Sequence, residues 1–242
     1  MFTDVYTVAL WTSCGKFVVQ SLLGEKKFSM ASSISSRIKA VELCRERRVL
    51  AIATFDDKVE LFDVLSWEKL YSFEYPLTLD SKSSNIWGEN TIDFQYSEKQ
   101  LFIDNEFQKK TILSLSAIKN MNDEFKIKSN LKFRLSYSKG NKFLASYTPG
   151  FPNVVWIRSL KNKKIAGVIS LNEKNIQGLR WHPTREILAV LTSDSIIFWN
   201  ESCTSVIYCK HLLTSFHWIN TKLIICGIAT EEECILVYFR QR

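Results

Sequence analysis

The residues that could act as nucleophiles, general acids or metal ligands are three histidines, six cysteines and a scatter of carboxylates, and their spacing argues against each role. His182, His211 and His217 have no H-E-x-x-H frame and no cysteine at ligand spacing. Cys14, Cys44, Cys203, Cys209, Cys226 and Cys234 contain no C-x-x-C pair and mostly fall in or beside apolar runs. They read as reduced thiols rather than zinc ligands or disulfides. The adjacent Asp56-Asp57 resembles a cation pair only on paper, because successive residues at a strand end point apart and serve the turn. With eight glycines in 242 residues, and no G-x-S-x-G, G-x-G-x-x-G or G-x-x-x-x-G-K-[ST], neither a nucleophile elbow nor a phosphate cradle is encoded. The chain therefore reads as a non-enzyme with no cofactor.

The elements that would position any functional side chain are clearest between Ile176 and Lys210. Ile176 to Trp181, Ile187 to Leu191, Ser195 to Asn200 and Val206 to Tyr208 are short runs rich in β-branched and aromatic residues. Turn formers at His182-Pro183 and Thr192-Ser193-Asp194 separate them, which predicts four antiparallel strands joined by tight hairpins. The unit recurs. Trp181 stands seven residues before Leu188-Ala189, as Tyr137 stands before Leu144-Ala145 and Leu43 before Leu50-Ala51, with a looser copy at Trp218 and Leu223. Third strands correspond at Val59 to Asp63, Val154 to Arg158, Ile196 to Asn200 and Ile235 to Phe239. Four-stranded units at a period of about 40 residues are the mark of propeller blades.

The reading is all-β, an incomplete arc of about four blades from a larger β-propeller. Residues 1–23 supply the last two strands of a truncated blade and 37–73 a whole blade. Residues 74–130 form an insertion or irregular segment. Blades follow at 131–171 and 175–210, and a final incomplete blade at 211–242. About seventeen strands do not close a ring, so the isolated arc is expected to expose strand edges and to be marginally stable, oligomerising or needing further blades.

The formal charge of +7 favours an acidic partner such as nucleic acid, tubulin tails or anionic lipid. The cations are dispersed, however: Arg45, Arg47 and Arg48 in one hairpin, Lys139 and Lys142 in the equivalent hairpin, and Lys161, Lys163 and Lys164 in a third-to-fourth strand turn. Solvated turns that keep strand edges soluble explain this pattern better than a polyanion site. Trp156, Phe198, Trp199, Trp218 and Tyr238 recur at equivalent strand positions, which is the pattern of packing between blades rather than of stacked bases. No run of about 18 apolar residues marks a membrane span, and Met1-Phe2-Thr3-Asp4 does not open a signal peptide.

Two stretches are more specific. Lys58 to Leu70 followed by Phe73 and Pro76, and Phe143 to Thr148 through Pro152 to Ile157, resemble the C-terminal half of the WD-repeat protein 8 family. The order of units, the insertion with Ile86-Trp87-Gly88-Glu89, and Trp181, Trp199 and Trp218 extend the resemblance from about Tyr6 onward. The Trp-Asp ending of a WD repeat stands here as Phe62-Asp63, Arg158-Ser159 and Trp199-Asn200. The resemblance implies a scaffold of the cytoplasmic cytoskeleton, at the centrosome, centriolar satellites or spindle pole body. Its implied partners are a coiled-coil anchoring protein and a minus-end-directed kinesin, its implied task the tethering of microtubule minus ends. A basic propeller that binds RNA or phosphoinositide directly is the alternative, although Arg47-Arg48 followed by Val49 lacks the Phe-Arg-Arg-Gly motif of phosphoinositide-binding propellers.

Within the insertion, Asn85, Ile86, Trp87 and Glu89 are expected to form an exposed partner contact, because a tryptophan beside glycine in a polar loop has the rigid amphipathic character of an interface anchor. The competing expectation folds Trp87 back over a blade.

Overall fold

The computed structural model describes residues 7–12, 16–21, 23–30, 38–44, 46–76, 78–80, 85–88, 101–104, 108–110, 112–114, 133–171, 174–209, 212–219, 222–228 and 234–240. Strands and turns make up all of it, and no helix among the described residues is long and apolar enough to cross a membrane. The chain divides into two units, Met1–Pro76 and Leu77–Arg242.

The first unit holds two antiparallel meanders. β1 (Thr7–Trp11), β2 (Phe17–Ser21) and β3 (Lys26–Met30) form a three-stranded sheet, the third strand lying in a stretch whose lysines and serines read as a polar connection. β4 (Ile38–Cys44), β5 (Val49–Thr54), β6 (Lys58–Asp63) and β7 (Lys69–Glu74) form a four-stranded blade. Phe17 and Val19 of β2 pack against Leu50, Ile52, Phe62 and Val64, with Trp67 at the margin, its ring 6.2 Å from Phe17.

The second unit carries two larger blades. β13 (Arg134–Tyr137), β14 (Phe143–Thr148), β15 (Phe151–Ser159) and β16 (Ile165–Ser170) form one. β17 (Gly178–Trp181), β18 (Leu188–Leu191), β19 (Ser195–Trp199) and β20 (Thr204–Cys209) form the next, and β21 (Leu212–Ile219), β22 (Lys222–Ile228) and β23 (Cys234–Arg240) a three-stranded sheet. The segment 74–130 is not irregular throughout: β8 (Thr78–Asp80) pairs with β12 (Ile112–Ser114), and three other strands extend the blades outward. β9 (Asn85–Gly88) runs parallel to β16, β11 (Gln108–Lys110) pairs antiparallel with β9, and β10 (Leu101–Asp104) pairs antiparallel with β20. The two blades thus become six- and five-stranded sheets.

Alternation explains why the middle strands are apolar throughout. Side chains of a strand point to opposite faces in turn, and here both faces are covered. Leu188, Val190, Ile197 and Trp199 pack toward the blade of β13 to β16, while Ala189, Leu191 and Ile196 pack with Leu213 and Phe216 of the following sheet. The repeated Leu-Ala pair is therefore a division of labour. Leu50 and Leu188 reach back to the preceding sheet, and Ala145 and Ala189 face the following one.

Turns repeat as strictly as cores. Thr54, Thr148 and Thr192 each close a second strand and are buried. The Thr54 hydroxyl donates to the Lys58 carbonyl at 3.2 Å and that of Thr192 to Ser195 at 3.1 Å, while the Thr148 hydroxyl accepts from the Gly150 amide at 3.3 Å. At the third strand's end, Asp63 accepts from the amides of Leu65 and Ser66 at 2.8 Å each. Asn200 accepts from Ser202 and Cys203 at 2.8 and 2.9 Å, and Ser159 from Asn162 at 3.4 Å. The residue in the Asp place of Trp-Asp caps the turn into the fourth strand, a task that Asp, Asn and Ser all perform.

Two outcomes follow from this geometry. A Cβ at Gly167 would lie 2.9 Å from Nε1 of the fully buried Trp199, so Gly167→Ala should cost about 1–3 kcal/mol by overpacking, read as a lower denaturation midpoint. The Ser66 and Leu65 amides hold the Asp63 carboxyl below its ordinary value. A depressed carboxylate stabilises the fold above its unfolded pKa and loses that contribution as pH falls. Urea titrations carried from pH 7 to about 2.5 should therefore show the native chain weakening more than Asp63→Asn, with the difference opening below about pH 4.

Candidate functional site

The inner strands β13, β17 and β21 each have a single sheet neighbour, so each presents one open edge. Over them lies a concave groove of about 540 Å³, in the range of ligand pockets. Its floor is apolar, with Leu135, Leu179 and Phe216 buried in equivalent register. Alternation turns the intervening side chains into the groove. Arg134, Arg180, Thr214 and His217 are exposed there, and Lys139 stands at the hairpin end. Gly178 contributes no side chain, and a Cβ there would come within 3.3 Å of the Phe216 ring.

Aromatic residues fix the wall. The Trp181 indole N–H donates to the Ser136 carbonyl across the blade boundary at 2.9 Å, and one sheet later the Trp218 indole N–H donates to Arg180 at 3.4 Å. Trp181 stacks on Phe143 with centroids 6.0 Å apart and meets Trp199 edge-on at 6.1 Å. Trp218 sits edge-on to His182 at 4.6 Å and to Phe198 at 6.4 Å. His182 is buried, and its Nδ1 accepts from the amides of Thr184 and Arg185 at 3.1 Å each, which leaves the ring proton on Nε2. Ser138 does the same work in the neighbouring blade, its hydroxyl accepting from the amides of Lys142 and Phe143 at 3.1 Å. The histidine is a turn-former, as its place before Pro183 suggests.

Electrostatically the groove has one sign. Arg134, Lys139 and Arg180 line it with His217, and no carboxylate lies among the described residues of the lining. Arg134 also stands across the strand pair from Tyr147, whose hydroxyl is pushed up by burial while the guanidinium pulls it down. No group of three or more His, Cys, Asp or Glu residues able to hold a metal is found among the described residues. Cys44 and Cys203 are free thiols, one buried and one exposed, and burial raises the Cys44 pKa.

The residues expected to make an exposed contact are placed otherwise. Asn85, Ile86 and Trp87 belong to β9, flanked by β16 and β11, not to a loop. Ile86 is fully buried and cannot meet a partner. Trp87 is half-buried, leans on the cluster shared by the two large blades, and keeps its indole N–H from solvent with no hydrogen-bond partner among the described residues. Glu89 lies outside the described residues. The polar run before Asn85 disguised a strand whose partner, β16, is encoded about eighty positions later. The groove residues went unrecognised because they are scattered along the chain. The available signal was that Arg180 and His217 hold the same repeat position, immediately before the inner-strand tryptophan.

The fold is that of a partial WD-repeat β-propeller, a class that generally serves as a protein-interaction scaffold. The chain is similar to the mouse (Mus musculus) protein WD repeat-containing protein WRAP73, with 25% identity over 218 residues, 82% of this chain and 47% of that protein. It thus spans about half the length of this curated relative. Among solved structures it is similar to U3-55K, with a TM-score of 0.56 at 10% identity over 93% of this chain and 56% of that one. The WD40 repeats of RRP9 align with the same score and identity, covering 93% of this chain and 55% of theirs. No protein-family model matches the chain.

Because Trp87 packs on a core cluster, Trp87→Ala should cost about 2 kcal/mol or more. Equilibrium denaturation checks this, and a loss below about 0.5 kcal/mol would return Trp87 to the surface.

Proposed function

We propose that this chain is a non-enzymatic interaction scaffold of the microtubule-organising apparatus. It acts at the centrosome or spindle pole body with a coiled-coil anchoring protein and a minus-end-directed kinesin to hold microtubule minus ends. The resemblance of its blades to the WD-repeat protein 8 family and the similarity to the mouse WD-repeat protein support this placement. The observation that carries the scaffold reading is the groove over β13, β17 and β21, where positions equivalent across repeats turn away from the core and expose polar and cationic side chains on a rigid wall. Rigid walls of this kind bind at little entropic cost.

Affinity purification of the tagged full-length protein from dividing cells should recover a coiled-coil spindle-pole or satellite protein together with a kinesin, and the tag should mark spindle poles by microscopy. Recovery of ribosomal or autophagy components with no spindle-pole protein would overturn the reading. Direct capture of RNA or phosphoinositide vesicles at about 0.15 M salt, with a steep salt dependence, would favour the alternative.

A further inference from the structure

We infer that the groove over β13, β17 and β21 seats an extended acidic segment of the protein partner. This rests on the scaffold reading and adds the chemistry of recognition. Arg134 and Arg180 project into the groove from adjacent inner strands, His217 and Lys139 stand beside them, and no carboxylate lies among the described lining residues. Elsewhere in this unit Lys142 pairs with Glu201 at 2.5 Å and Lys174 with Asp194 at 3.0 Å. Neither Arg134 nor Arg180 has an ion-pair partner among the described residues. Gathering like charges in a concave wall costs free energy, which an incoming anion returns.

The choice of a peptide over a nucleic acid comes from the aromatic residues. Stacking platforms need uncovered ring faces. Here Trp181 is covered by Phe143 and Trp199, and Trp218 is flanked by His182 and Phe198. What the groove offers instead is a pair of guanidinium groups, which donate paired hydrogen bonds to a carboxylate, and the open edges of three strands, which suit an extended main chain. A volume of about 540 Å³ holds a few residues of such a segment.

Fluorescence anisotropy on the purified full chain tests this with a dye-labelled ten-residue probe of alternating Asp and Glu around one Tyr. The comparison ligands are its Asn/Gln isostere and a dye-labelled oligouridine of equal charge. The acidic peptide should bind best of the three at about 0.15 M salt. The double variant Arg134→Glu/Arg180→Glu should weaken it by about tenfold or more, Arg134→Lys/Arg180→Lys should retain part of the affinity, and Lys161→Glu/Lys164→Glu should leave it unchanged although it removes as much positive charge. Circular dichroism and thermal melting confirm folding, since both arginines are exposed. Absence of acidic-peptide binding, equal loss in the Lys161/Lys164 variant, or tighter binding of oligouridine would each overturn the inference. Capture of spindle-pole proteins from cells separates the two readings: if it survives Arg134→Glu/Arg180→Glu, the groove assignment fails while the scaffold stands, and if even the native chain captures none, the scaffold reading fails first.

Discussion

One hydrogen bond organises the second unit: the Trp181 indole N–H donating to the Ser136 carbonyl. An inner strand carries alternate main-chain groups that no sheet neighbour satisfies, and a wall of such strands would be a row of unmet donors and acceptors. A tryptophan one sheet further on meets one of those acceptors while burying the largest apolar surface of any side chain, and leaves the rest of the edge open. The cluster around it follows. Phe143 stacks on its ring, Trp199 meets its edge, and Ala145, in the same cluster, is small enough to leave room. The recurrence of the bond between Trp218 and Arg180 makes it a rule of the repeat rather than a local accident. The groove is a by-product of that rule, since side chains between the aromatic anchors have nowhere to point but outward.

Because blades stack through both faces, the repeat places opposite demands on adjacent positions. Leu188 and Ala189 are neighbours in sequence yet belong to different cores. Turn residues bear the remaining constraint: Thr54 and Thr192 donate across the second turn, Thr148 accepts there, and Asp63, Ser159 and Asn200 cap the next. The erosion of Trp-Asp to Phe-Asp, Arg-Ser and Trp-Asn is tolerable on this account, because the turn needs an oxygen acceptor at a set distance and not a particular acid.

Local pairings were legible in the sequence and distant ones were not. The hairpins of β4 to β7, β13 to β16 and β17 to β20 announce themselves by alternating apolar runs between turn formers, and each strand pairs with its neighbour in the chain. β3 was hidden because Lys26, Lys27 and Ser29 give its five residues the composition of a polar connection. β9, β10 and β11 were hidden for a different reason: strands of three or four residues become strands only by adding to an edge built elsewhere, and nothing local specifies that edge. The candidate site was illegible by the same logic. Arg134 and Arg180 are dispersed charges until the blades stack, whereas Trp87 looked like a surface anchor because the blade that covers it lies far along the chain.

The outer strands also impose an order of events on synthesis. Ile86 pairs with Val168, about eighty positions later, and Phe102 with Tyr208, more than a hundred later. Translation at roughly 5–20 residues per second leaves β9 waiting several seconds for β16, and β10 longer for β20. Each blade can zip its own hairpins as they emerge, but its outer rim is sealed by a segment made first and docked last. The ribosome therefore carries a nascent chain whose β9 and β10 still lack the strands they pair with, and the time it spends in that state is set by where those strands are encoded rather than by how strongly they bind.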